Sequence, residues 1–102
     1  MTREEAERAL ADLSGWSLSE DGRAIRKEWL VRDFAEAVRF FQEVAELAEA
    51  EGHHPDLHLE KYRRVTIVLW THAVGGLSEN DFILAAKIDR IPVALKQETP
   101  VT

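Results

Sequence analysis

With 102 residues, 45% of them apolar and 31% charged, the chain has the size and composition of one ordinary globular domain, and no apolar run approaches the roughly 20 residues that span a bilayer. Its formal charge of -6 disfavours a nucleic-acid binder, and Arg63-Arg64 is short enough to be a solvated strand end. The lack of cysteine excludes disulfides, thiolate nucleophiles and cysteine-ligated zinc, and the absence of an apolar signal core near Met1 leads to an expected cytoplasmic location.

From Glu4 to Leu13, the apolar residues Ala6, Ala9, Leu10 and Leu13 recur at helical spacing, and Ser14-Gly15 ends the pattern. Trp16 to Val31 has the character of a β-hairpin. Its turn is Glu20-Asp21-Gly22-Arg23, and Ile25, Lys27, Trp29 and Val31 share one strand face. Asp33 starts the clearest helix, with Glu36 three residues on in a capping-box-like arrangement. Phe34, Val38, Phe41, Val44, Ala45 and Ala48 form its expected buried stripe, broadened by Phe40 and Leu47, and Gly52 is the C-terminal stop.

Beyond Gly52 the residue before Pro55 is biased away from helix, so His53 and His54 should point in different directions as the chain turns toward Leu57 to Glu60. A strand from Val65 to His72 is expected, with Val65, Ile67 and Leu69 on one face and Thr66, Val68, Trp70 and His72 on the other. Gly75-Gly76 breaks it. Ser78 then caps a last helix with Leu84, Ile88, Ile91 and Leu95 as its stripe, which Pro92 should kink or end early. Residues 96–102 are expected to be a loose tail. The order helix, strand, strand, helix, strand, strand, helix predicts a single α+β domain over 1–102, a four-stranded antiparallel sheet with three helices on one face.

The chemistry concentrates in His53-His54-Pro55 and His72. Imidazole has an ordinary pKa near 6.5 and so gives and takes protons at neutral pH with little tuning. Taken singly, Glu49 is a solvated helix-end charge, Asp81 a first-turn acid favoured by the helix dipole, and Trp16 a core or pocket-wall residue. His58 suits a surface strand position, and Tyr62 and Trp70 suit packing. Zinc or iron bound by the histidines and carboxylates is the chemical rival, but adjacent His53 and His54 chelate awkwardly, and no His-x-His or His-Glu-x-x-His spacing is present.

Taken together, these residues form a spaced set. Glu49 is followed after three residues by His53-His54-Pro55, after six more by Tyr62, after nine by His72 and after eight by Asp81. In this set the chain resembles the pterin-4a-carbinolamine dehydratases, small enzymes that recycle oxidised pterin cofactor after aromatic amino-acid hydroxylation. Trp16, the Ile25-Lys27-Trp29-Val31 strand, Asp33-Phe34 and Gly76-Leu77-Ser78-Glu79 extend the resemblance over nearly the whole domain. One departure is Gly52, where animal members carry an acidic residue beside the histidine pair.

The resemblance implies dehydration of a 4a-hydroxytetrahydropterin to quinonoid dihydropterin and water. It places His53, His54 and His72 around the pterin, with His53 and His72 as proton donors and His54 holding the ring. Glu49 and Asp81 then orient imidazoles or accept hydrogen bonds from the pterin, and Pro55 and Trp16 complete the substrate site. It implies no metal or organic cofactor, a pterin as the small-molecule partner, and self-association as homodimer or homotetramer. The alternative it carries is a non-enzymatic dimerisation or interaction module of the same fold.

Overall fold

A computed structural model describes residues 1–97. In chain order the elements are α1 (Arg3–Leu10), β1 (Ser17–Leu18), β2 (Ile25–Leu30), α2 (Phe34–Glu51), β3 (Asp56–Glu60), β4 (Arg64–Leu69) and α3 (Glu79–Ile88), with a short 3₁₀ turn at His72–Val74 between the last two. The sheet is antiparallel throughout, in the order β1-β2-β4-β3, so the last strand inserts between the two laid down on either side of α2. The expected α+β architecture is therefore the observed one.

The alternation along the strands decides where the core lies. Val65, Ile67 and Leu69 of β4 and Ile25 and Trp29 of β2 are buried on the face that meets Phe40 and Val44 of α2 and Leu84, Ala85 and Ile88 of α3. Trp29 is the hinge of this core, edge-on to Phe40 at 5.2 Å and to Trp16 at 5.8 Å between ring centroids. The opposite sheet face carries Arg26, Glu28, His58 and Glu60, all exposed.

Several expectations are corrected. The buried side of α2 is Ala37, Phe40, Val44 and Ala48, whereas Phe34 and Val38 are 56% and 42% exposed. The helix is rotated because Phe40 enters the core against Trp29 and Glu36 is drawn inward. The capping box is only half built: Asp33 accepts the Glu36 amide at 2.9 Å, but the Glu36 carboxylate turns to Arg39 and the Ala94 amide.

The strand expected to reach His72 ends at Leu69. The Thr71 amide donates to the Gly76 carbonyl at 2.7 Å, and Gly75, at φ 62°, closes the chain back on itself, which leaves His72 in the 3₁₀ turn. The last helix stops at Ile88, before Pro92, as the Asp89 side chain is taken by Lys27 and Trp16. Leu95 then bridges Val31 rather than lying on a helical stripe. Of the expected loose tail, the Lys96 amide is held by the Leu30 carbonyl at 2.9 Å, and 98–102 lie outside the described residues.

Gly52 ends α2 in the left-handed conformation, φ 62°, and the His53 amide returns to the Ala48 carbonyl at 3.1 Å. A Cβ at Gly52 would meet nothing within 4 Å, so only backbone strain opposes a side chain. Gly52→Ala is expected to cost about 1 kcal/mol, read as a lower urea midpoint with an unchanged m-value. A larger loss would mean that the αL turn is supported by contacts the side chain disturbs.

Candidate active site

The Gly52 turn does more than end a helix, because it aims the next residue. His53 is turned toward the start of α3, and its Nε2 lies 2.6 Å from Asp81 Oδ1. Asp81 is fully buried and the His53 side chain is 15% exposed, so this is a mostly dry contact. The other carboxylate oxygen, Oδ2, accepts the Thr71 hydroxyl at 2.8 Å and the Ser78 amide at 2.9 Å, and the Thr71 and Ser78 hydroxyls are 2.7 Å apart. Both oxygens of a buried charge are thus occupied, as burial requires. An ionised carboxylate only accepts, so His53 Nε2 is the protonated nitrogen facing it and Nδ1 is left for other chemistry.

Thr71 belongs to the turn that replaces the end of β4, and His72 is its immediate neighbour. The His72 ring lies on Trp70 with centroids 3.8 Å apart and planes tilted by 30°. The Trp70 indole N–H donates to Asp56 Oδ2 at 3.3 Å, and Asp56 stands two residues after His54. A path of contacts therefore joins the His54-Pro55-Asp56 segment to His72. A second path, through Thr71, joins His72's turn to the Asp81–His53 pair.

His54 takes a different direction from His53, as expected. Its Nε2 lies 3.2 Å from Glu49 Oε1, and both side chains are largely exposed, at 63% and 78%. Such a pair is weakly held in water. Glu49 belongs to the last turn of α2 and Pro55 is half-buried beside His54. A small recess of about 70 Å³ opens next to His53, lined by Glu51, Asn80, Ile83 and Leu84, and Glu51 is also paired with Lys87.

Trp16 lies elsewhere. Its indole N–H donates to both oxygens of Asp89, at 3.2 and 3.1 Å, and its ring packs on Trp29. Asp89 caps the C-terminal end of α3 and Asp81 sits in the first turn; eight residues of helix separate them by about 12 Å. Trp16 is thus a core residue at the far end of the helix that carries Asp81. His58 is exposed on β3, and Tyr62 is exposed in the β3–β4 connection, where Lys61 and Tyr62 both have positive φ.

Three participants were not singled out for the site from the sequence: Thr71, Ser78 and Asp56. Each had a local signal, since Thr71 and Asp56 adjoin His72 and Pro55, and Ser78 was placed as a helix cap. What was missing was their convergence on Asp81 and Trp70. Among the described residues, no group of three His, Asp or Glu side chains is arranged to hold a metal ion, and no helix is long and apolar enough to cross a membrane.

Comparison with known proteins places these features in a family. The family model for pterin 4 alpha carbinolamine dehydratase matches residues 1–91. The chain is 50% identical over 95 residues to the mitochondrial pterin-4-alpha-carbinolamine dehydratase 2 of Arabidopsis thaliana, covering 91% of this chain and 51% of that protein, about half its length. Among solved structures, the transcriptional coactivator/pterin dehydratase of Brucella melitensis superposes with a TM-score of 0.79 at 36% identity, over 87% of this chain and 94% of that one. A pterin dehydratase-like protein described as a RuBisCO assembly factor of the alpha-carboxysome shares the fold, with a TM-score of 0.63 at 22% identity over 76% and 88% of the two chains. A match that runs through α1, the whole sheet and α3, and so takes in His53, His72 and the Asp81 network, leaves one conclusion: the chain belongs to the pterin-4-alpha-carbinolamine dehydratase family.

Proposed function

We propose that the protein dehydrates 4a-hydroxytetrahydropterin to quinonoid dihydropterin, in the recycling of a tetrahydropterin, with its own histidines as proton carriers. The reaction breaks the bond between carbon 4a and its hydroxyl oxygen and removes the proton of nitrogen 5. Hydroxide leaves poorly, so one group must deliver a proton to that oxygen while another takes the proton from nitrogen. Water is the second product and no electron changes hands.

The observation that carries this reading is the buried Asp81 carboxylate bound to His53 Nε2, with Thr71, the neighbour of His72, bound to the same carboxylate. It supports His53 Nδ1 and the His72 imidazole as the two exchanging groups. Asp81 is a positioning residue that fixes the His53 ring and tautomer. His54, with Glu49 at its exposed ring nitrogen and Pro55 limiting its backbone, holds the pterin at the rim. Trp16 acts on this site only through the packing of α3. General acid–base help from positioned imidazoles is worth about 100- to 10,000-fold.

Self-association as a homodimer or homotetramer accords with the open edge of β3, whose outer backbone groups have no partner strand among the described residues. A cytoplasmic site of action fits a chain with no membrane-spanning helix among its described residues.

The test is a stopped-flow ultraviolet assay on chemically generated 4a-hydroxytetrahydropterin at neutral pH. The wild-type protein is expected to speed dehydration at catalytic concentrations. A decay no faster than in buffer alone would sink the proposal.

A further inference from the structure

Two cavities adjoin one another beyond His72, and the histidine chemistry uses neither. The first, about 380 Å³, is bounded by Val68 and Trp70 of the sheet and by Asp21 and Arg23 of the β1–β2 turn. The second, about 600 Å³, is bounded by Arg3, Asp21, Arg23 and the Val74–Leu77 loop. Asp21, Arg23 and Gly75 line both, so the two form one groove that runs from the aromatic wall under His72 to a pair of guanidinium groups. Each volume is within the range of small-molecule sites, about 300 to 1,000 Å³.

The arginines are set in place by the backbone around them. The Arg3 guanidinium donates to the Glu20 carbonyl and lies over Gly22, where a Cβ would come within 3.4 Å of its Nη2. The aliphatic stem of Arg23 rests against Gly76, 4.0 Å from where a Cβ would stand. The acid between them, Asp21, is fixed through one oxygen, since its Oδ1 accepts the Ser19 hydroxyl at 2.7 Å and the Arg23 amide at 3.0 Å. In a chain of formal charge -6, this groove end carries two guanidinium cations against a single carboxylate.

We propose that this groove is a substrate subsite that takes the substituent of the pterin and selects one ending in an anionic group, a phosphate ester or a carboxylate. The inference rests on the dehydratase reading. With the ring at the histidines, Trp70 and Val68 cover the first atoms of the substituent, and Arg23 and Arg3 meet its charged end. Guanidinium suits both anions, which it binds through paired N–H donors.

The experiment is calorimetric titration of the full chain with 7,8-dihydroneopterin, its 3′-monophosphate and dihydrofolate, in the wild type, Arg23→Ala and Arg3→Gln. At least one anionic probe is expected to bind wild type about tenfold or more tightly than the neutral one, an advantage that shrinks with added salt. The preferred probe tells phosphate from carboxylate. Arg23→Ala should remove most of the advantage while leaving affinity for dihydroneopterin and turnover of a neutral carbinolamine unchanged. Equal wild-type affinities, or an advantage that survives both substitutions, would overturn the subsite while wild-type dehydration of the neutral carbinolamine keeps the reaction standing. Absence of that dehydration would remove both.

Discussion

Replacement of His53 by alanine is expected to lower kcat about 100- to 10,000-fold with little change in KM. Asp81→Asn, which keeps the side-chain shape, is expected to lower kcat about 10- to 100-fold, the usual cost of losing a partner that orients a functional imidazole. The physical reason is the count of donors at Asp81. Its two oxygens face His53 Nε2, the Thr71 hydroxyl and the Ser78 amide, and an asparagine supplies only one accepting oxygen to the same three. Whichever way the amide turns, one buried donor meets another. If it turns its NH₂ toward His53, the imidazole must offer Nε2 as acceptor and carry its proton on Nδ1, the wrong tautomer for a base.

His54→Ala should behave differently and raise KM more than it lowers kcat, because His54 and Glu49 form an exposed pair at the rim. Steady-state kinetics on the three variants, with imidazole ¹⁵N shifts of His53 in wild type and Asp81→Asn, check the scheme. A His54→Ala protein that lost more kcat than His53→Ala would reverse the assignment.

The second large effect concerns stability. Glu36 is 5% exposed, receives a two-pronged contact from Arg39 at 2.6 and 2.9 Å, and accepts the Ala94 amide at 2.6 Å. Arg39 also donates to the Pro92 carbonyl. This clasp ties the segment after α3 to the first turn of α2. Glu36→Gln keeps the volume but loses the charge-assisted bonds, and a loss of about 2 to 3 kcal/mol is expected in urea unfolding at pH 7.

The same clasp sets an acid limb. The Arg39 contact and the Ala94 amide hold the Glu36 carboxyl at about 2, against 4.5 for the ordinary group. The unfolded chain therefore binds the proton first, so Glu36's contribution is complete above about 4.5 and is lost as pH falls toward about 2. Wild type should lose more stability than Glu36→Gln between pH 5 and pH 2.5. Parallel pH curves for the two proteins would mean that Glu36 titrates alike in both states.

Much of this was legible along the chain. The element order, the Gly52 stop and the divergence of His53 from His54 follow from local rules, because turn chemistry, capping and strand alternation depend on residues a few positions apart, whereas the spaced histidine and carboxylate set was read through the family resemblance. The α2 stripe did not follow, since Phe34, Val38, Ala37 and Phe40 are all compatible with an apolar side. Which of them faced the sheet was decided by Trp29 and by Glu36 reaching Ala94, 58 positions away.

The position of His72 shows the same limit. Val65 to His72 alternates like one strand, and only the Thr71–Gly76 pairing turned its end into the loop that carries the imidazole. Trp16 likewise reads as a core or pocket-wall residue, and only the tertiary structure set its indole N–H on Asp89, 73 positions away. What the sequence by itself determined is which side chains could carry protons and the local elements that hold them. Only the tertiary structure decided which carboxylate meets which histidine, because Asp81 and His53 are 28 residues apart and their bond depends on how α3 docks against the end of α2.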